Sequence, residues 1–265
     1  YEAKQYENSI YWKKQDGDQA LTFLTRYDLT DFTPQLTTLQ TPGYTVDKAP
    51  EVAYYRTGTS FGGDRFTWFS ENRAGFVRAR AGEDTPFDRG FSGPASMTLF
   101  GIPNTTAFDD ALWATGMPDE WVFRADSRQE ISAPMDFDDV RVVPYAVGRV
   151  TAYDEDFSAY AGEDEKLRLW GSLGVRASTT RYKTYDHQNQ ALDVNGIRHI
   201  IEPHADVFFS GETINSEDLP VYDAEVEGIQ DGAGLRLGLT NTLQTKRGGA
   251  GRERSVDWVI LKTDL

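Results

Sequence analysis

The stretch 231–246, DGAGLRLGLTNTLQTK, constrains the fold more than any other part of the chain. Ala233, Leu235, Leu237, Leu239 and Leu243 occupy alternate positions, with Asn241 the exception. Gly234, Arg236, Gly238, Thr240, Thr242, Gln244 and Lys246 stand between them. Successive side chains of a strand point to opposite faces, so this period makes one apolar and one polar face. A helix would scatter the same leucines around its circumference. The run is also long. Soluble strands average ~5–6 residues, whereas a strand that crosses a bilayer needs ~9–11.

The alternation recurs along the chain. The opening, 1–14, reads as a strand, and Asp16-Gly17-Asp18 as a turn. Leu21, Phe23, Tyr27 and Leu29 alternate with Thr22, Arg26 and Asp28, and 31–47 reads as loop or irregular strand. A further strand begins at 49–56. Pro50 lacks a ladder donor, which places it at that strand's start or at an edge. In 65–80, Phe66, Trp68, Ala74 and Phe76 oppose Arg65, Thr67, Glu71 and Arg73. The segment 82–119 has four prolines and no sustained period. It is too long for an ordinary connection and reads as a large loop or insertion, with a short helix over 107–115.

From Trp121 the pattern returns. Phe123, Ala125, Ile131, Ala133 and Met135 oppose Arg124, Asp126, Arg128 and Glu130. An acidic turn at 136–139 leads to a strand at 140–153, a loop at 160–165 and a strand at 167–180. A loop at 186–195 and a strand at 197–209 follow. An acidic loop at 211–230 precedes the organising strand, and Val256, Trp258 and Ile260 mark the last one. About ten long strands, joined alternately by short turns and long acidic loops, predict an antiparallel meander. Strand length, aromatic residues near strand ends and the turn asymmetry point to an all-β, up-and-down transmembrane β-barrel. Residues 1–265 are then one region of a partial barrel.

Composition narrows the alternatives. No run approaches the ~18 apolar residues of a membrane helix, which leaves barrel strands open. A net charge of −15, from 42 acidic and 27 basic residues, argues against a nucleic-acid binder. There is no cysteine, so disulfides and thiolate chemistry are excluded. No signal peptide is evident, and Tyr1 is not a natural start, so a mature, trimmed or internal piece of a longer chain is expected.

Candidate sites are few. His199 and His204 are five apart on a strand and face opposite sides, so they cannot hold one metal together; with His187 they read as structural. Carboxylate pairs such as Glu202 with Asp206, Asp126 with Glu130 and Asp136 with Asp138 are what any acidic barrel offers, and no nucleophile-elbow, phosphate-loop, dinucleotide or zincin motif is present. The polar strand faces carry Arg124, Arg128, Arg168, Arg176 and Arg236, which would line a barrel's lumen. Their forks suit phosphate, or they pair with acids such as Asp126 and Glu130 across strands. Trp68, Trp121, Trp170 and Trp258 read as interfacial girdle or as core.

Several segments, in order, resemble the barrel of the lipopolysaccharide-assembly family LptD (organic solvent tolerance). They are Ala49-Pro50-Glu51-Val52; Arg124 through Pro134 followed by Val142-Val143-Pro144; Gly196 through Pro203, with its Arg198-His199 and Glu202-Pro203; Leu219 through Asp223; and Leu235 through Arg247, ending Leu-Gln-Thr-Lys-Arg. The resemblance spans roughly 49–265. It implies an outer-membrane translocon component that inserts lipopolysaccharide into the outer leaflet, by transport rather than catalysis. It also implies a plug lipoprotein (LptE-like) and a periplasmic bridge protein (LptA-like) as partners, and no cofactor. The family's signal peptide, jelly-roll domain and further strands are absent here, as expected of an internal piece, and the family's disulfides are absent because there is no cysteine. Two other readings fit the same alternation: a soluble, secreted all-β carbohydrate-active enzyme or binding module, and a generic porin-like channel.

Overall fold

The computed structural model describes residues 8–27, 44–162, 164–249 and 251–265. The expectations for 1–7 and for 28–43 lie outside the described residues. The alternating segments form one sheet of twelve strands among those residues. They are β1 (Asn8–Asp16), β2 (Gln19–Tyr27), β3 (Thr45–Phe61), β4 (Phe66–Arg80), β5 (Val122–Ser132) and β6 (Met135–Phe137), then β7 (Val140–Tyr153), β8 (Leu167–Thr179), β9 (Arg181–Asn189), β10 (Val194–Glu212), β11 (Gly232–Arg247) and β12 (Arg254–Asp264). Ten run in the order β1-β2-β3-β4-β5-β7-β8-β10-β11-β12, with β6 added beside β7 and β9 beside β10. Each pairing is antiparallel, and β1 and β12 form the edges of an open sheet.

Antiparallel meandering sends alternate connections to opposite ends. The connections 81–121, 154–166 and 213–231 leave one end, and the tight turns after β1, β3, β6 and β11 leave the other. At the tight turn after β3, Gly62 and Gly63 take positive φ (64° and 70°), which suits a residue without a Cβ.

Residues paired across a ladder share a face. One row runs Ile131, Ala146, Leu173, Phe209, Ala233. Another runs Arg73, Asp126, Thr151, Arg168. Burial inverts the usual soluble arrangement. The apolar row faces outward, with Leu173 65% and Phe209 66% exposed, while Arg124, Asp126 and Arg168 on the polar face are at most 3% exposed.

The apolar core lies at the long-connection end of the polar face. Val77, Ala79, Val122 and Tyr153 from the strands meet Met117, Phe157, Ile214, Leu219 and Tyr222 from the connections. Burying each of the larger side chains, such as Val77, Phe157 or Leu219, contributes roughly 1.5–3 kcal/mol relative to exposure. The 81–121 connection carries helices α1 (Gly93–Leu99) and α2 (Phe108–Trp113). Phe91, Phe100 and Phe108 stack edge to face within it, and Leu112 and Trp113 reach the shared core.

Several expectations are corrected. Residues 186–189 belong to β9, not to a loop, because backbone pairing to β10 holds an exposed polar strand that has no apolar face of its own. The segment after β10 is not a solvated acidic loop: Ile214, Leu219, Val226 and Glu227 are buried. Pro50 stands within β3 rather than at its start, in a register irregularity between Lys48 and Glu51 where no ladder donor is needed. Trp170, open between girdle and core in the sequence, lies on the polar face. It pairs with Glu212 and donates Nε1–H to the Gln230 carbonyl at 3.3 Å.

Candidate functional site: the polar face and its seated segment

The polar face of β3, β5, β7 and β8 presents basic side chains because the two-residue period puts Arg124, Arg149 and Arg168 on the same side. The 213–231 segment folds back over them. Glu227, fully buried, accepts from Arg124 Nη1 at 2.8 Å and from the Tyr153 hydroxyl at 3.0 Å. Its second oxygen accepts from the Asp223 backbone N–H at 2.7 Å. Asp223 in turn takes Arg124 and, at 2.8 Å, Lys48. Lys48 and Arg124 also reach Glu51, each at 3.2 Å.

Backbone carbonyls complete the seat. Arg149 donates to Glu225 O, and Arg168 donates to Ile214 O at 3.2 Å, to Val226 O at 2.9 Å and to Ile229 O. Arg168 also pairs with Glu212. Buried guanidiniums need several acceptors, and a loop rich in turned carbonyls supplies them. At the rim, the Tyr44 hydroxyl donates to Val221 O at 2.6 Å.

Electrostatics follow from this packing. Burial pushes the Asp223 carboxyl up, but Arg124 and Lys48 outweigh it and hold the group below its usual range. Burial pushes Tyr44 up to about 12, helped by Tyr160 and Glu227. Tyr222 is raised for the same first reason, with Glu227 adding to it.

All five expected arginines project from the polar face, and each meets acids. Arg124 and Arg168 lie under the seated segment. Arg128 pairs with Glu130 at 2.6 Å and approaches Glu71 at 3.8 Å. Arg176 reaches Glu130 at 3.1 Å and stacks on Tyr145 at 3.9 Å. Arg236 pairs with Asp264 at 3.3 Å, beside His204. Lys48, Glu51, Arg149, Asp223 and Glu227 were missed by sequence reasoning. Of these, Arg149 carried a signal in its place in the polar register with Thr151, and Glu51 and Asp223 lay within segments of the family resemblance without being read as site residues.

The carboxylates along the polar face are held in ion pairs. Asp126 is engaged by Arg149 Nε and Nη2, at 2.7 and 2.8 Å, and by Thr151 at 2.8 Å, and Glu130 by two arginines. His199 and His204 stand on opposite faces, with Asn241 and Asp264 respectively. Among the described residues no group of three metal-ligating side chains converges. What the site does is hold a chain segment against a wall while leaving a charged polar surface further along it.

Fold and site together define an all-β protein of one open antiparallel sheet, with an exposed apolar face and a polar face that its connections bury in part. No protein-family model matches the chain, and no curated protein matches it.

Proposed function

We propose that this chain forms part of the wall of an outer-membrane β-barrel that inserts lipopolysaccharide into the outer leaflet. The observation that carries the membrane half of this reading is the inversion of faces: ion pairs are buried, and leucines and phenylalanines are exposed along strands of up to 19 residues. Hydrocarbon tolerates the outward face, and water or polar cargo suits the inward one. Among the described residues no helix is long and apolar enough to cross a membrane, so any crossing is made by strands. The ordered resemblance over 49–265 supplies the cargo: sugars travel along the polar face while lipid chains stay on the apolar side. A plug lipoprotein and a periplasmic bridge protein are the corresponding partners, and the open edges of the sheet are completed by further strands.

The soluble carbohydrate-active reading requires a second layer over Leu173, Phe209 and Leu235. None of the described residues provides one.

Fractionation of the full-length protein tests the proposal. Recovery in the outer membrane with a gel-mobility shift on boiling, and loss of surface lipopolysaccharide on depletion, are the expected results. A soluble protein without a shift would sink it.

A further inference from the structure

The tight-turn end of the polar face holds a cleft well away from the seated segment. There β9, β10, β11 and β12 extend beyond the last pair between β7 and β8, Val140 with Thr179. Two irregularities bend them. The β9–β10 ladder shifts between Asn195 and Ile197, with Gly196 at φ 71°, and the β11–β12 ladder shifts between Leu243 and Gln244. Bulges of this kind bend a strand and re-aim its side chains. The resulting cleft, of about 460 Å³, is lined from all of these strands.

Charge across the cleft runs acid, base, base, acid. Asp186 comes from β9, Arg198 from β10, Lys246 from β11 and Glu253 from the turn before β12. Arg198 pairs in register with Gln244, and Lys246 lies two residues further along the same face, so the two cations are diagonal neighbours. Unlike Arg124, Arg128, Arg168, Arg176 and Arg236, Arg198 meets no carboxylate among the described residues. Its guanidinium lies 4.2 Å over the Tyr182 ring, a stacking that fixes its plane and leaves its N–H edge to a ligand. Lys246, Asp186 and Glu253 likewise have no partner among the described residues.

Amides and hydroxyls complete the lining. Gln188 donates to Asn195 Oδ1 at 3.2 Å, which leaves the Asn195 amide N–H groups available, and Gln244 donates to Asp257 at 2.8 Å, which leaves its carbonyl oxygen. Two adjacent cations suit a phosphate, and the flanking carboxylates and amides suit hydroxyl groups. A bare anion makes no use of the flanking acids, and a neutral sugar leaves the two cations unmet.

We propose that this cleft binds a phosphorylated saccharide, its phosphate held by Arg198 and Lys246 and its hydroxyls donating to Asp186 and Glu253. The inference rests on the reading above, in which sugars travel along the polar face, and its test separates the two.

The full-length protein in detergent is titrated calorimetrically with trehalose 6-phosphate, with trehalose and with inorganic phosphate. We expect one trehalose 6-phosphate per chain and about ten-fold weaker binding of the other two, the scale of one lost charge-assisted hydrogen bond. Arg198→Gln and Lys246→Gln, both at exposed positions, should each weaken it by about the same factor. The double variant Asp186→Asn, Glu253→Gln should weaken trehalose 6-phosphate but not inorganic phosphate. Tighter trehalose 6-phosphate binding in that variant would show that the acids only repel anions, and it overturns the proposal. Inorganic phosphate binding as tightly as the sugar phosphate overturns it too, as do folded Arg198 and Lys246 variants that bind as wild type does. Heat-modifiable mobility of each preparation reports its fold. A wild-type protein that shifts on boiling but binds no trehalose 6-phosphate overturns the cleft alone, whereas one with no shift overturns the membrane reading itself.

Discussion

Arg124 and Glu227 are 103 residues apart in sequence and 2.8 Å apart in space, both buried. The pair fastens the 213–231 segment to the middle of the sheet. Removing one partner of a buried pair leaves an uncompensated charge. Arg124→Met strands Glu227, Asp223 and Glu51 together and should cost about 3–5 kcal/mol. It should lower the thermal midpoint of the mobility shift and expose 213–231 to protease. Adding Glu227→Leu should recover part of the loss; equal or greater loss in the double variant contradicts the pairing.

The seat has an acid limit set by Asp223. Its carboxyl titrates below the unfolded value of 3.8, so its stabilisation is present above 3.8 and is lost as pH falls through the still lower folded value. Protease protection of 213–231 should therefore persist from neutrality down to the ordinary carboxylate range and fail only below it. Release already at mildly acidic pH would count against the Lys48–Asp223–Arg124 cluster.

An alkaline limit is set by Tyr44. Its folded pKa is raised from 10.0 to about 12, so its contribution is complete below 10.0 and disappears as pH rises towards 12. Tyr44→Phe should remove this first alkaline step in a titration of protease protection. An unchanged step in the variant would show that another group causes it.

Glycine positions divide sharply. A Cβ at Gly75 would lie 2.3 Å from the Pro50 carbonyl oxygen and 2.6 Å from Glu51 Cα, both backbone atoms in the irregular part of β3. Gly75→Ala should cost roughly 1–3 kcal/mol, as overpacking does. Gly148→Ala, in open space, should change stability by no more than ~0.5 kcal/mol. Equal unfolding midpoints for the two variants would be inconsistent with this packing.

Leu173 distinguishes membrane wall from soluble sheet. Leu173→Arg should destabilise assembly by about 2–4 kcal/mol if the residue meets the bilayer midplane. At a position 65% exposed to water the same change would be nearly neutral. The readout is the yield of heat-modifiable protein in the membrane fraction.

Period-two alternation made most of the sheet legible. The strands ending at Arg80 and Tyr153, and the long one from Gly232, fall close to where leucines and arginines alternate. β9 was illegible because RYKTYDHQN has no apolar face and exists through its ladder with β10. Alternation also placed Arg124 and Arg168 on the polar side but could not say which side is covered. That depends on Asp223 and Glu227, whose approach across 99 and 103 residues no local pattern encodes. Asn241, the break in the apolar row of β11, is answered by His199 at 3.1 Å on the same face, a contact set by inter-strand register.

The central claim is that the apolar face meets lipid and the polar face meets water. Residues 1–265 contain no cysteine, so single cysteines can be introduced there and spin-labelled in the full-length, membrane-reconstituted protein, any cysteine outside 1–265 being replaced first. Labels at Leu173, Val207 and Leu235 should be accessible to oxygen and shielded from a water-soluble nickel chelate, with the reverse at Arg176 and Arg236. Equal access of the nickel chelate to both sets would contradict the account.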